Sequence, residues 1–536
     1  MRGWVVALDP ELSVDIDRLR PVAKVSSWGP SSDAIDVARW ASVRWAAGRL
    51  RPFLVAASPP TNVAGLPSAR RTGRPVEPVH PGARDLLARG GGVLRLPPSE
   101  DIVPVLAAAA GLGPTLVVAP SSDRARLDAI RLRRAGLAVA HVPDEWAAAA
   151  VGVDVVIGAR TAAWAPCPDL AAVVVVDEHD EALQEERAPT WHARDVVVER
   201  ARRAGAPVLL VSPCPTVAGL AATSERLHAP SIDAERAGWP IVEVVDRSRD
   251  EPWRTSLVSS PLVVHLRRAD RTVVCVHNTP GRARILACRS CRTLARCERC
   301  EAAVGLSDQG TLVCRRCGTE RPAMCLVCNG TAFSNLKPGV TRLREELEAA
   351  AGRPVVAVTG RDPGPPPAAG VYVGTEAVLH RVDHADVVAF LDIDLELLAP
   401  RYRAAEQAMA LLARAARMLG PRRERRDARL LLQTFVPGHE VIRAALLAEP
   451  GRLTEPERER RRALELPPFA ALASVSGPGS DAVAAALRAE PDVAVGGSAD
   501  RYVVRAASWD RLGAALIAAP RPKGSRVRVE VDPPRL

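Results

Sequence analysis

Residues 288–328 read CRSCRTLARCERCEAAVGLSDQGTLVCRRCGTERPAMCLVC, and the rest of the chain is organised around this stretch. It holds eight cysteines in four C-x-x-C pairs, which are Cys288/Cys291, Cys297/Cys300, Cys314/Cys317 and Cys325/Cys328. A C-x-x-C knuckle directs two thiolates at one point, and two knuckles complete a closed tetrahedral zinc site. The stretch therefore predicts two Zn²⁺ ions per chain. The spacing alone does not say which pairs share an ion.

A disulfide framework is the alternative use for closely spaced cysteines, but it requires an oxidising compartment and is typical of small secreted chains. This chain has 536 residues, and its start, MRGWVVALDPELSVD, lacks the basic segment and apolar run of a secretory signal. The most apolar run, VPVLAAAAGLGPTLVVA at 103–119, is broken by glycine and proline, so no membrane segment is expected. The sequence thus predicts a cytoplasmic protein that binds zinc.

Length and charge suit a protein of several domains with an affinity for polyanions. A chain of 536 residues with 47% hydrophobic side chains is long enough for two to four domains. The formal net charge is +10, which favours nucleic-acid partners through counterion release. Lysine occurs only three times, so the charge also reflects a general bias toward arginine. The charge favours a nucleic-acid partner without establishing one.

Two series of short valine and leucine runs alternate with helical patterns. The first series comprises VLRL at 93–96, TLVVAP at 115–120, LAVAHV at 137–142, VDVVIG at 153–158, AAVVVVDE at 171–178 and PVLLVSP at 207–213. The second comprises RTVVCVHN at 271–278, PVVAVTG at 354–360, VYVGT at 371–375, VVAFLDID at 387–394 and RLLLQTF at 429–435. Such runs are typical of parallel strands covered by helices on both faces, so the sequence predicts two α/β lobes.

These patterns divide the chain into four parts. Residues 1–80 form an N-terminal region and linker, 81–245 the first lobe, 246–440 the second lobe, and 441–536 a small α+β C-terminal domain. The cysteine stretch lies within the second lobe as a zinc-binding insertion at 286–330.

One predicted strand ends in a group of polar side chains. AAVVVVDEHD at 171–180 places Asp177, Glu178 and His179 at the carboxyl end of a buried strand, where open parallel sheets bind ligands. In nucleotide-driven motors, carboxylates at this point hold Mg²⁺ and orient the attacking water. Polar residues after a valine run are nevertheless ordinary, because every strand must end.

A nucleotide site would also need a glycine-rich loop ending in G-K-S or G-K-T to cradle the phosphates. None of the lysines lies in such a loop, since they occur at Lys24, Lys337 and Lys523. The expected position reads LPPSEDIVP at 96–104 and holds neither glycine nor lysine. Its Pro97 and Pro98 also lack the backbone N–H groups that a phosphate would need. The sequence therefore indicates a nucleotide-binding architecture without a phosphate loop.

Several further segments occur in a distinctive order. They are GARTAAWAPCPDL at 158–170, WHARDVVVERA at 191–201, VLLVSPCPT at 208–216, VGTEAV at 373–378, FLDIDLELLAPRYRAAEQ at 390–407, LLQTFVPGHEVI at 431–442, LPPF at 466–469 and VEVDP at 529–533. From about residue 90 to the end, these segments and the cysteine spacing resemble the PriA family of primosomal replication restart proteins (primosomal protein N′). The resemblance implies two RecA-like helicase lobes, a two-zinc insertion, an N-terminal DNA-binding region and a small C-terminal domain.

The resemblance also implies metal ligands and partners. One zinc ion would be held by Cys288, Cys291, Cys325 and Cys328. The other would be held by Cys297, Cys300, Cys314 and Cys317. Implied partners are forked DNA and junctions of single- and double-stranded DNA, other primosome proteins, the replicative helicase and single-stranded DNA-binding protein.

The chain departs from the family at its nucleotide-binding motifs. Besides the missing phosphate loop, the family's GTQM segment reads GTEA at 374–377, and its arginine-rich motif has become ARAARMLGPR at 413–422. Arg414 or Arg417 can mimic part of that motif, but its glycines are gone. The family's opening domain holds a DNA 3′ end, and in this sequence its likeness starts only partway through that domain. Either residues 1–80 are a reduced DNA-binding region, or the start codon has been placed too late.

These departures predict a degenerate helicase core. We expect a replication restart protein that binds forked or branched DNA and helps to reload the replicative helicase, without helicase activity of its own. Asp177, Glu178 and His179 would then be a vestigial nucleotide site, with no catalytic residue. One alternative is an active ATP-dependent 3′–5′ helicase with an atypical nucleotide site. Another is a zinc-ribbon nucleic-acid protein unrelated to restart, against which the ordered segments argue.

Overall fold

The computed structural model describes most of the chain, in the ranges 3–6, 21–22, 24–73, 76–250, 256–278, 286–291, 293–307, 309–335, 340–360, 364–498, 501–522 and 524–534. Part of the predicted N-terminal region, residues 1–2, 7–20, 23 and 74–75, lies outside these ranges. Among the described residues, every helix is too short or too polar to cross a membrane.

Two N-terminal helices, α1 (Ser32–Arg44) and α2 (Arg51–Ala57), pack against the first lobe through a chain of aromatic rings. The ring centroids of Phe53 and Trp164 lie 5.3 Å apart, and those of Trp164 and Trp191 lie 5.7 Å apart. Both tryptophans belong to the first lobe, and all three rings are buried. Aromatic pairs at this spacing stabilise beyond the area that they bury. Buried aromatic rings thus join α2 to the first lobe.

The first lobe is a seven-stranded parallel sheet in the order β3-β4-β2-β5-β6-β1-β7. Its strands are β1 (Gly91–Arg95), β2 (Thr115–Val118), β3 (Val139–Val142), β4 (Val155–Gly158), β5 (Ala172–Val176), β6 (Val208–Ser212) and β7 (Leu227–His228). Its helices are α3 (Pro81–Ala88), α4 (Val103–Ala110), α5 (Ser122–Arg134), α6 (Trp146–Val151), α7 (Ala193–Ala204), α8 (Val217–Ala222) and α9 (Ile232–Gly238). Every residue of β2 and β5 is buried, which explains why TLVV and AVVVV do not alternate with polar residues.

The second lobe begins with β8 (Ile241–Asp246), α10 (Ser260–Leu266) and β9 (Val273–Val276). The chain then forms the cysteine-rich insertion, hereafter the metal module, with strands β10 (Leu286–Cys288), β11 (Gly305–Leu306), β12 (Thr311–Val313), β13 (Glu320–Pro322) and β14 (Phe333–Asn335). These strands form a two-stranded and a three-stranded antiparallel sheet. The backbone N–H of Ala303 in the module donates to the carbonyl of Leu398 in the second lobe at 2.8 Å. The module is therefore docked on the lobe that contains it.

The chain returns through the rest of the second lobe, a six-stranded parallel sheet in the order β15-β16-β9-β17-β18-β8. The remaining strands are β15 (Val356–Val358), β16 (Val371–Gly374), β17 (Val387–Phe390) and β18 (Arg429–Thr434). The helices are α11 (Val340–Ala351), α12 (Val378–Arg381), α13 (Asp394–Leu397), α14 (Ala404–Leu419), α15 (Glu440–Leu447) and α16 (Thr454–Ala463). Apolar clusters cover both faces of the sheet. The predicted boundary between residues 245 and 246 falls inside β8, which already belongs to this sheet.

The C-terminal domain is a four-stranded antiparallel sheet in the order β20-β21-β19-β22. It comprises β19 (Ala471–Ser476), α17 (Ser480–Arg488), β20 (Val493–Ser498), β21 (Arg501–Ala506), α18 (Trp509–Ala518) and β22 (Arg528–Val531). A Cβ atom on Gly513 would lie 2.2 Å from the carbonyl oxygen of Val43, so this glycine lets α18 approach α1 closely. The two predicted RecA-like α/β lobes, the cysteine-rich insertion and the α+β end of the chain are thus confirmed.

Candidate metal centres and interlobe cleft

The eight cysteines of the metal module form two groups of four. Within each group the Sγ atoms all lie within 4.8 Å of one another, and the groups are Cys288/Cys291/Cys325/Cys328 and Cys297/Cys300/Cys314/Cys317. The nearest Sγ pairs, such as Cys288 to Cys328 and Cys300 to Cys314, are 3.5 Å apart. A tetrahedral zinc ion with Zn–S bonds of about 2.3 Å separates its sulfurs by roughly 3.8 Å. Each group can therefore hold a metal ion of this kind, in the pairing that the family resemblance implied.

The backbone turns sharply after three of the C-x-x-C pairs. The residues that follow these pairs, Glu301, Gly318 and Asn329, have φ angles of 58°, 75° and 60°. The backbone N–H of each donates, at 2.9 Å, to the carbonyl of the first cysteine of its pair. Such tight turns bring both thiols of a pair to the same side of the backbone. The left-handed conformation favours glycine and asparagine, which fits two of the three residues.

The other three cysteines are buried and lie apart from these groups. Burial raises the pKa of Cys275 to about 12 and that of Cys167 to about 11. Burial also raises the pKa of Cys214 well above its ordinary value. These thiols remain protonated at neutral pH and behave as small apolar side chains.

Asp177, which follows β5 in the first lobe, is bound by an arginine from the second lobe. Nη1 and Nη2 of Arg417, on α14, each donate to one carboxylate oxygen of Asp177 at 2.8 Å. The Asp177 side chain is 5% exposed and that of Arg417 is 38% exposed. Burial alone would raise the pKa of Asp177, but the guanidinium outweighs it and holds that pKa below its usual range. Asp177 is therefore a carboxylate with its charge already neutralised.

Glu178 and His179 face other partners. The Glu178 carboxylate accepts from the backbone N–H and the Oγ1–H of Thr216, at 2.7 and 2.9 Å. Arg194 lies 3.5 Å from the same carboxylate. Nδ1 of His179 is 2.8 Å from Oγ of Ser212. The three predicted site residues thus sit at one sheet edge but bind separate protein groups.

The segment at 97–100, at the position expected for a phosphate loop, packs against α9 of its own lobe and against arginines of the second lobe. Nε of Arg417 donates to the carbonyl of Pro98 at 2.9 Å. The hydroxyl of Ser99 donates to the carbonyl of Gly238 at 2.7 Å, and a Cβ on Gly238 would meet Pro97 at 2.4 Å. Glu100 pairs with Arg423 of the second lobe at 2.6 Å. The chain itself therefore fills the space beside this segment.

A second arginine of α14 reinforces the closure. Arg414 forms an ion pair with Asp180 of the first lobe and also contacts the ring of His380. Sequence reasoning proposed that Arg414 or Arg417 would mimic part of an arginine motif. Both reach across the cleft, but their partners are carboxylates of this chain.

Sequence reasoning missed a set of buried ion pairs and hydrogen bonds that joins helices of the second lobe to the first lobe. Arg461 is 1% exposed and contacts Glu457 at 2.7 Å and Glu406 at 2.5 Å. Glu406 also accepts from the backbone N–H of Val217 in the first lobe at 2.8 Å. Arg461 lies in the run TEPERERRRA at 454–463, whose charges look like an exposed helix face. Among these residues only Glu406 lies in one of the ordered segments, at 390–407, which singled it out in the sequence.

Asp532 connects three parts of the molecule. Its Oδ1 accepts from Oη of Tyr402 and from Nη2 of Arg403, each at 2.7 Å. Its carbonyl accepts from Nε2 of Gln184 in the first lobe at 2.7 Å. The segment VEVDP at 529–533 is thus an anchor between the C-terminal domain and both lobes.

No family model matches the chain. It is 26% identical over 387 residues to replication restart protein PriA of Bacillus subtilis, covering 67% of this chain and 48% of that protein. It is 28% identical over 456 residues to the probable replication restart protein PriA of Mycobacterium tuberculosis, covering 79% and 63%. The probable replication restart protein PriA of Mycobacterium leprae is 33% identical over 235 residues, covering 38% and 34%. The chain spans about half the length of the first of these relatives.

A likeness to a chain of the solved complex of S. cerevisiae Dbp5 with Nup159 and Gle1 covers 73% of this chain and 96% of that one. Its TM-score of 0.33, with 10% identity, is too low to carry an argument.

Proposed function

We propose that this chain, a relative of the PriA replication restart proteins, binds forked or branched DNA at stalled replication forks and helps to reload the replicative helicase, without unwinding DNA itself. Its partners would be other primosome proteins, the replicative helicase and single-stranded DNA-binding protein. Such a protein works where the DNA is, in the cytoplasm. Two zinc ions, one in each cysteine group, would hold the metal module in its folded form.

The observation that carries the proposal is the bidentate pair between Arg417 and Asp177. In a nucleotide-driven motor, an acidic residue after a parallel strand holds Mg²⁺, and the phosphates lie between the lobes. Here a guanidinium neutralises that carboxylate and also contacts the carbonyl of Pro98. A metal-bound triphosphate would have to displace these contacts and the Arg414–Asp180 pair. The closed state therefore needs no nucleotide, which supports a structural role for the two lobes.

Exposed arginines on the metal module support DNA binding. Arg289, Arg299 and Arg315 are exposed, and within the described part of the chain none of them forms an ion pair. Unpaired arginines on a zinc-bound surface can contact phosphates. The net charge of +10 adds a general attraction for DNA.

The test measures ATP hydrolysis by the zinc-loaded protein, with and without forked DNA, and binding to the same fork. We expect fork binding that weakens steeply with salt and no DNA-stimulated hydrolysis. Replacing Arg289, Arg299 and Arg315 by glutamate should lower the salt slope by up to about three, since each lost phosphate contact removes about one.

Two results would overturn the proposal. One is DNA-stimulated hydrolysis that disappears in Asp177→Ala, because a contaminating ATPase would not respond to that change. The other is the absence of fork binding at low salt.

A further inference from the structure

A cavity of about 590 Å³ lies between the metal module and the second lobe. It is lined by residues of the Cys297/Cys300/Cys314/Cys317 group, of the segment that follows β18 and of the start of α15. Five arginines contribute to its wall, which are Arg296, Arg316, Arg443, Arg452 and Arg460. The size lies in the range of small-molecule sites, which are about 300–1,000 Å³. The cavity is separate from the cleft that holds Asp177.

Three of these arginines have free guanidinium groups. Within the described residues, Arg296, Arg316 and Arg443 form neither an ion pair nor a side-chain hydrogen bond. Nε of Arg316 is buried and has no hydrogen-bond partner. An unpartnered buried donor costs free energy, and a bound acceptor would relieve this cost. The remaining two arginines are already paired, Arg460 with Glu440 at 2.9 Å and Arg452 with Glu449.

The wall contains two acidic side chains beside these arginines. Its carboxylates are Glu301 and Glu440, and Glu440 is engaged by Arg460. Burial lowers the pKa of His439, which caps α15, so this ring is neutral near pH 7. The N-terminus of α15 adds partial positive charge at the same wall. The cavity therefore presents three guanidinium groups, those of Arg296, Arg316 and Arg443, that have no ion pair among the described residues.

We propose that this cavity binds a compact oligophosphate, such as pyrophosphate or the phosphate groups of a nucleoside polyphosphate. Arginine forks match phosphate oxygens in a bidentate way, and three free guanidinium groups require several negative charges within one small ligand. An acidic peptide supplies one negative charge per carboxylate side chain. Its charge density is therefore too low to match three guanidinium groups within one small cavity. A single strand of nucleic acid occupies sites of about 4–16 nucleotides, which exceeds a cavity of this size.

Binding of this ligand would involve the metal module directly, because Arg316 lies between Cys314 and Cys317. The proposed ligand would bridge this C-x-x-C pair and α15 of the second lobe. It would thereby hold the module against the lobe.

The test is calorimetric titration of the zinc-loaded full chain with pyrophosphate, a non-hydrolysable ATP analogue and a ten-nucleotide single strand. We expect binding of pyrophosphate and of the analogue that weakens about tenfold in Arg443→Ala and in Arg316→Ala. Arg134→Ala is the matched control, because Arg134 is also an exposed helical arginine without an ion pair among the described residues. Its affinity should equal that of the unchanged protein.

Three outcomes would overturn the proposal. The first is no binding of either phosphate ligand to the unchanged protein. The second is binding that Arg443→Ala and Arg316→Ala leave unaltered, which would locate the ligand elsewhere. The third is tighter binding of the strand than of pyrophosphate with the same arginine dependence, which would assign the cavity to nucleic acid. Arg443 is exposed on α15, so its variant tests the site without depending on the fold of the C-x-x-C pair.

Discussion

Arg417 in the second lobe and Asp177 in the first, 240 positions apart in the chain, meet through two parallel hydrogen bonds of 2.8 Å. The bidentate geometry fixes the orientation of both side chains. Because Asp177 follows a strand of one sheet and Arg417 lies on a helix of the other lobe, the pair holds the cleft between the lobes closed.

We expect Arg417→Ala to destabilise the contact between the lobes, because it leaves the buried Asp177 carboxylate without its partner. The loss should be about 1 kcal/mol, since the arginine side chain is 38% exposed and solvent screens the pair. The measurement is a double-mutant cycle with Asp177→Asn, in which thermal unfolding at neutral pH gives the stability of each variant.

Arg422→Ala is the control for this cycle, because Arg422 is exposed on the same segment and has no ion pair among the described residues. It should leave the melting temperature unchanged. If the single changes at Arg417 and Asp177 simply add, the pair contributes nothing to stability and does not hold the cleft closed.

The strands and the cysteine groups could be predicted because their patterns are local. The run VVVV at 173–176 is buried throughout and forms most of β5, as a continuous apolar run predicts. The four C-x-x-C pairs each form within four residues. Tertiary contacts add only the choice of which pairs meet, and the spacing left that choice open.

The ion pairs between distant elements could not be predicted, because their partners are far apart in the sequence. Arg461 has the same neighbours as a surface arginine, and its burial depends on Glu406, 55 positions away. Similarly, nothing near Asp177 in the sequence indicates that an arginine from α14 will form an ion pair with it. In each case charge compensation across an interface decides the environment, and a local pattern does not carry that information.

Stability should depend on pH through His192, whose Nδ1 caps α7 by accepting from the backbone N–H of Arg194 at 3.2 Å. Burial, together with Arg194, lowers the pKa of His192 to about 3. In the unfolded chain His192 takes up a proton at about pH 6.5, whereas in the folded chain it does so only at about pH 3. Stability from this group is therefore complete above pH 6.5 and falls as the pH drops below it, by about 1.4 kcal/mol per pH unit.

The measurement compares melting temperatures at about pH 5 and about pH 7.5 for the unchanged protein and for His192→Asn, which retains a capping side chain but does not titrate. The decrease at low pH should be smaller in His192→Asn. His384→Asn, at an exposed histidine, should leave the decrease as it is. Equal decreases in all three proteins would show that His192 is not the titrating group.

The metal module should contain two zinc ions per chain, measured by mass spectrometry of the purified protein. Cys325→Ser and Cys314→Ser change different groups, so each should leave one ion. Cys275→Ser, at a buried thiol in β9 outside both groups, should retain two. Chelation should expose residues 286–330 to limited proteolysis, because closed four-cysteine sites contribute directly to folding. Blocked thiols without bound metal would instead support the disulfide alternative.

The C-terminal domain should separate from the lobes when Asp532 loses its carboxylate. Arg403 and Asp532 are 14% and 6% exposed, so Asp532→Ala leaves a nearly buried cation unpaired, at a cost of about 3 kcal/mol. Asp532→Asn should cost less, because the amide oxygen still accepts a hydrogen bond and asparagine tolerates the φ of 52° at this position. Limited proteolysis should release the domain in the first variant and leave it protected in the second. Asp492→Ala, at an exposed aspartate of the same domain, is the control. Resistance of Asp532→Ala to proteolysis, equal to that of the control, would mean that the apolar core that α18 shares with α1 holds the domain without this anchor.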